Sequence, residues 1–172
     1  MNADRKALAD LIDRWHVATG EGDVETVLSL MEEDAIFLIA GKPALQGRAA
    51  FEKGLRALLE THSIRSSAEI QEVQSDGGMA YCRSLLTVHV TSLADQLTVE
   101  RLGSALSIFR KHADGRWRLS RDANLAAALM SRRHTASQNP SRAIGPSQRS
   151  KACAAAAETA RDFWPRAAAP HP

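Results

Sequence analysis

The chain has 172 residues, 44% hydrophobic and 24% charged, the proportions of one globular domain with an appendage. No apolar run approaches the ~18 residues of a membrane span, and the charged opening Asn2-Ala3-Asp4-Arg5-Lys6 is unlike a secretory signal. Two distant cysteines, Cys82 and Cys153, exclude a disulfide framework or a four-cysteine zinc site, so a cytoplasmic protein with free thiols and no membrane partner is expected.

Leu8, Leu11, Ile12, Trp15 and Ala18 recur at spacings of three and four, which predicts a helix from about Asp4 to Thr19, ended by Gly20 and Gly22. Asp23 is placed to cap a second helix, with Val24, Val27, Leu28 and Met31 on its buried face and Glu25 near the positive end of its dipole. Ala35 to Ala40 reads as a short buried strand, closed by the turn Gly41-Lys42-Pro43. Phe51, Leu55, Leu58, Leu59 and His62 then define a third helix over roughly Arg48 to Thr61. From there the period changes to two. Ile64 to Gln74, Met79 to Ser92, Thr98 to His112 and Arg116 to Asn124 are long extended segments, joined by links short enough for hairpins.

After residue 130 the composition shifts. Five of the six prolines lie there, with seven of the 22 basic side chains but only two of the 20 acidic ones, so the net charge of +2 divides into a mildly acidic body and a basic tail. Residues 1–130 are expected to form the α+β domain. Residues 131–172, rich in Pro, Ala and Ser, are expected to be disordered apart from a short helix around Lys151 to Phe163. The tail's charges are scattered and lack stacking aromatics, which argues against a nucleic-acid partner.

Four successive antiparallel strands need one face covered, and three preceding helices supply that cover. The predicted architecture is therefore α+β, a cone-shaped barrel of curved antiparallel sheet packed over three N-terminal helices, with a hollow between the layers that is a default ligand site.

Several strings carry a resemblance. Trp15-His16-Val17-Ala18-Thr19-Gly20-Glu21-Gly22-Asp23, Val27 to Met31, Asp34-Ala35-Ile36-Phe37, Gly41-Lys42-Pro43, Gly47-Arg48 and Phe51 resemble the opening of nuclear-transport-factor-2-like proteins, which include the SnoaL-like and ketosteroid-isomerase-like families. Ile108-Phe109-Arg110-Lys111, Asp114 to Arg118 and Arg121-Asp122-Ala123-Asn124 look like the SgcJ/EcaC-type branch. The resemblance spans about residues 4–130. It implies a cone-shaped, cystatin-like topology with an internal pocket and dimerisation through the open sheet face. It does not imply one reaction, since members include isomerases, cyclases, hydrolases, dehydratases and domains without known catalysis.

Set against the ketosteroid isomerases, the tyrosine position falls on Trp15, the base position on Ile39 and the later aspartate near Ser104, and none of these supplies the required group. SnoaL-like cyclases imply instead an aspartate acid/base seven residues after the glycine of the last hairpin. Here Gly115 leads at that offset to Asp122, the candidate catalytic residue. On a two-residue period Asp122 shares a face with Arg118, Ser120 and Asn124, opposite Trp117, Leu119 and Arg121. If Trp117 and Leu119 face the helices, Asp122 points away from the hollow. The parity of this strand decides between an acid/base and a surface carboxylate.

The candidate pocket set is Trp15, Asp34, Ser84, Ser104, Ser120 and Asn124. An Asp following Glu32-Glu33 is more often a turn former and Trp15 suits core packing slightly better than a pocket wall, while His16 beside the helical stripe is expected to be exposed. On the strand Met79 to Ser92, the parity Ala80, Cys82, Ser84, Leu86, Val88 and Val90 should face inward, leaving Arg83 and His89 on an outer dimer surface. Cys82 then reads as a small buried hydrophobe.

The six histidines show no i, i+4 pair, and neither a phosphate-binding glycine loop nor a GxSxG turn occurs, so no metal and no cofactor are expected. Two readings remain. One is a binder of a small apolar ligand in a pocket of a few hundred cubic ångströms, possessing cofactor-independent isomerase, cyclase or hydrolase activity through Asp122 if it is an enzyme. The other is a non-catalytic dimerisation or interaction domain with a filled interior.

Overall fold

The computed structural model describes residues 3–128. The proposed tail, with its helix around Lys151 to Phe163 and Cys153, lies outside the described residues.

Helix α1 spans Ala3–Glu21 and buries Leu8, Ile12 and Ala18, the expected stripe. Asp23 caps α2 (Val24–Ser29), its side chain accepting a hydrogen bond from the Thr26 amide at 3.0 Å. Met31, assigned from its spacing to the buried face of this helix, instead opens strand β1 (Met31–Ile39), which is longer than the segment expected from residue 35. The short strand β2 (Leu45–Gln46) returns along β1 before α3 (Arg48–Leu59), which buries Leu55 and Leu58.

The four long strands are β3 (His62–Asp76), β4 (Met79–Ser92), β5 (Thr98–Lys111) and β6 (Trp117–Asn124), each antiparallel to the next. A two-residue strand, β7 (Ala127–Ala128), completes a seven-stranded sheet of order β2-β1-β6-β5-β4-β3, with β7 paired to β5. The sheet is curved and mixed. Strand β1 runs parallel to β6, a correction to the wholly antiparallel arrangement expected, and one that joins the first strand to the last long one.

Helix α1 lies chiefly on β3, and α3 closes over β1 and β3, so the helices cover the concave face. On β4 the inward parity is the expected one, with Ala80, Cys82, Ser84, Leu86 and Val90 buried. The main core joins Leu8, Ile12, Val27, Met31, Phe37, Leu55 and Phe109, and each such side chain contributes about 1.5–3 kcal/mol on burial.

Two local devices shape the domain's C-terminal end. After β6 the chain crosses over Gly103, where a Cβ would stand 2.6 Å from the Leu125 carbonyl oxygen, so only glycine permits the crossing. Ala126, buried there against Leu86 and Ala105, seals that end of the sheet. At the other end Glu32, buried on β1, binds His112 Nε2 at 3.0 Å, while Arg118 Nη1 lies 3.0 Å from Nδ1. A guanidinium can only donate, so Nδ1 accepts and Nε2–H donates to Glu32.

Candidate functional site

The parity of β6 is settled by a β-bulge. On β5, Ile108 pairs with Arg121 but Phe109 pairs with Leu119, which leaves Ser120 as an extra residue without a partner. Trp117 and Leu119 are buried below the bulge, and beyond it the alternation is reset, so Asp122 and Asn124 turn inward as well. The exclusion expected from strict alternation therefore does not apply: the apolar pair faces the helices and Asp122 does too.

Arg121 braces this irregularity. Its Nη1 donates to the Ser120 carbonyl at 2.7 Å, to Ser120 Oγ at 3.1 Å and to the Asp34 carbonyl at 3.1 Å, and its Nη2 lies 3.5 Å from the Asp34 carboxylate. Asp34 and Ser120, expected in the pocket, are thus supports of the bulge. Asp34 is exposed and Ser120 is fully buried, and neither lines the cavity. Ser104 is exposed on the outer side of β5 and does not line it either, because its neighbours Gly103 and Ala105 take the inward parity.

Between helices and sheet lies a cavity of about 170 Å³, mainly apolar in its walls. That is smaller than the few hundred cubic ångströms expected, and slightly larger than a 150 Å³ cavity known to admit benzene. Trp15, Phe37 and Phe51 form one wall, with Trp15 and Phe51 centroids 5.6 Å apart and the two phenyl rings stacked at 4.4 Å. Ser84, Ser107, Asp122 and Asn124 form a polar patch in the opposing sheet. Register explains this grouping: Cys82, Ser107 and Asp122 stand in one row across β4, β5 and β6, and Ser84, Ala105 and Asn124 in the next inward row.

Asp122 is only partly exposed, and its opening is to the cavity. Ser107 Oγ donates to its Oδ1 at 2.6 Å. Burial disfavours the carboxylate and pushes its pKa up to about 6, while the Ser107 hydrogen bond holds it back. Asn124 Oδ1 accepts from the Ala126 amide at 2.9 Å, anchoring the crossing segment. Cys82 is buried, its thiol pushed up to about 11 by burial and by the nearby Asp122 charge, which makes it a poor nucleophile.

Sequence reasoning missed two further groups. Ser107 became visible only through cross-strand register. His16, expected to be exposed, is half-buried and lines the cavity, with a 2.7 Å hydrogen bond linking Nδ1 to Ser66 Oγ on β3. Its burial lowers its pKa, favouring the neutral imidazole. Among the described residues no three His, Cys, Asp or Glu side chains converge to hold a metal ion.

A curved sheet closed by N-terminal helices around such a cavity defines the nuclear-transport-factor-2-like class of small α+β domains. Within that class the chain belongs to the SnoaL-like domain family, whose pattern matches residues 12–120. A conserved protein from Planctomyces limnophilus is 34% identical, with a TM-score of 0.71 over 74% of this chain and 98% of that one. A ketosteroid isomerase-like protein from Erwinia carotovora atroseptica is 22% identical, with a TM-score of 0.65 over 73% of this chain and 98% of its own, and shares the fold. An NTF2-like protein with a cystatin-like fold from Novosphingobium aromaticivorans is 25% identical, with a TM-score of 0.59 over 74% and 83%. No curated protein matches the chain at a significant level.

Proposed function

We propose that the protein binds a small, mainly apolar molecule in the cavity, and that Asp122 exchanges a proton with it in a cofactor-independent reaction of the isomerase or cyclase type. The observation that carries this reading is a lone carboxyl group opening into an apolar cavity, with one oxygen held by Ser107 and the other without a hydrogen-bond partner among the described residues. With a pKa of about 6 the group is present in both protonation states near neutrality, which suits a base that removes a proton and later returns it. In such a step, on a β,γ-unsaturated carbonyl compound, Asp122 takes the proton from the carbon between the carbonyl and the double bond. The C–H pair becomes a new carbon–carbon double bond while the carbonyl π pair moves onto oxygen. The dienolate then collapses back to the carbonyl as its far carbon takes the proton from Asp122, leaving the double bond in conjugation. Ile39 and Trp15 line the same cavity but offer neither a carboxylate nor a phenol, so the three-residue ketosteroid isomerase arrangement plays no part in this reading.

Homodimerisation through the sheet is part of the same proposal. Met79, Tyr81 and Leu85 on β4 and Leu102 and Leu106 on β5 are exposed together on the outer face, an apolar surface of the kind that partners cover. This face equally suits a non-catalytic dimerisation domain, but that alternative requires a filled interior, against which the cavity argues. The SgcJ/EcaC-type branch and a cytoplasmic setting belong to the proposal too. No helix among the described residues is long and apolar enough to cross a membrane.

Native mass spectrometry of protein purified from its own host tests the binding claim. A retained small molecule is expected. Bare protein that also takes up none of a panel of single-ring carbonyl compounds would end the reading.

A further inference from the structure

The cavity is lined by a second polar, titratable side chain that the proton-transfer reading does not use, His16. Leu11, Ile12, Trp15, His16 and Thr19 present one face of α1 to the cavity, and His16 alone among them carries a titratable group. An imidazole taken from water into such a wall is costly unless its polar atoms find partners. Ser66, itself part of the lining, satisfies Nδ1, and no protein group among the described residues hydrogen-bonds Nε2. On the other side, Asp122 commits Oδ1 to Ser107 and leaves Oδ2 unengaged. Two residues that each keep a polar atom unengaged, His16 on α1 and Asp122 on β6, therefore line one cavity whose remaining walls are largely apolar.

Size limits what can meet both. A cavity of about 170 Å³ is on the scale that admits one ring with a short arm. We propose that the ligand is a single-ring molecule with an oxygen function at each end of its long axis, one held by Asp122 and the other by His16, which makes His16 a second ligand-binding residue. This rests on the cavity being the ligand site, and it adds the ligand class and the residue that selects it. A neutral imidazole suits the role, since Nε2–H donates to a carbonyl or hydroxyl oxygen when Nδ1 accepts from Ser66.

The test is calorimetric binding of a graded set of probes to the full chain: toluene, p-cresol, and p-hydroxyphenyl compounds with a terminal hydroxyl on a one-, two- or three-carbon arm. In the unmodified protein at least one arm length should bind about three- to tenfold more tightly than p-cresol, the contribution of one added neutral hydrogen bond. In His16→Phe that ratio should fall to about one with toluene binding retained, and His16→Gln, which keeps a donor, should restore part of it. Because the readout is a ratio within each protein, a general loss of affinity in a variant does not imitate the effect. No gain at any arm length in the unmodified protein, or an undiminished gain in His16→Phe, overturns the inference while leaving the cavity as a ligand site. Failure of every probe, toluene included, to bind the unmodified protein overturns both.

Discussion

Replacing Asp122 by asparagine keeps the shape of the side chain and an oxygen able to accept from Ser107, but removes the charge. The folded protein raises this carboxyl from the ordinary value of 3.8 to about 6 because burial disfavours the ionised form. The folded state therefore holds the proton more tightly than the unfolded chain, and this group's contribution to stability falls as pH rises from 3.8 to about 6. The full cost is present above that window. At 1.36 kcal/mol per pKa unit, ionised Asp122 destabilises the fold by about 3 kcal/mol at pH 7, by between about 1 and 2 at pH 5, and by about half a kcal/mol at pH 4. Asp122→Asn should therefore be more stable than the unmodified protein at pH 7 by up to about 3 kcal/mol, with the advantage shrinking steadily toward pH 4. Urea denaturation of both proteins at the three pH values measures this directly. A variant that is less stable at pH 7, or whose advantage does not change with pH, would refute the assignment of a desolvated carboxyl to the cavity wall. A residue that weakens its own fold in this way is the expected mark of a functional group.

Three more outcomes follow from the same geometry. Ser107→Ala removes the hydrogen bond that holds Asp122 down, so the Asp122 midpoint should rise above about 6 in a carbon-13 NMR titration; an unchanged midpoint would deny the contact. Gly103→Ala places a Cβ against the backbone of Leu125 and Ala126, and should cost about 1–3 kcal/mol while exposing the β7 amides to hydrogen exchange. On the proposed dimerisation, the unmodified protein scatters light as a dimer, and Leu106→Glu, which puts a charge in the exposed outer apolar face, should scatter as a monomer without loss of helix or sheet signal.

The helices and hairpins were legible because their signals are local. The stripe from Leu8 to Ala18, the Asp23 cap and the period-two runs each depend on residues a few positions apart, and all three form as expected. Met31 was misplaced because a spacing of three or four from Val27 and Leu28 fits a helix, while its true role comes from pairing with Leu119, far along the chain. The parallel β1–β6 ladder was hidden for the same reason. In the site, counting by twos along β6 fails at Ser120, since a bulge adds a residue that no periodicity in that strand reveals. Ser120 fell on the wrong side of that count, Asp34 was placed only from its position between the second helix and the first strand, where it takes the outward parity, and Ser104 was placed by analogy with a reaction whose residues are missing here. Ser107 and Ser66 acquire meaning only through the partners that register and helix docking bring to them.

The central claim is that a small cavity takes up ligand against the Asp122 carboxyl group. Carbon-13 NMR of protein labelled at aspartate carboxyls, with the Asp122 signal assigned from Asp122→Asn, tests both halves at once. The account predicts a titration centred near pH 6 and a shift of that signal on adding p-cresol. A signal that titrates near pH 4 and does not respond to p-cresol would contradict it.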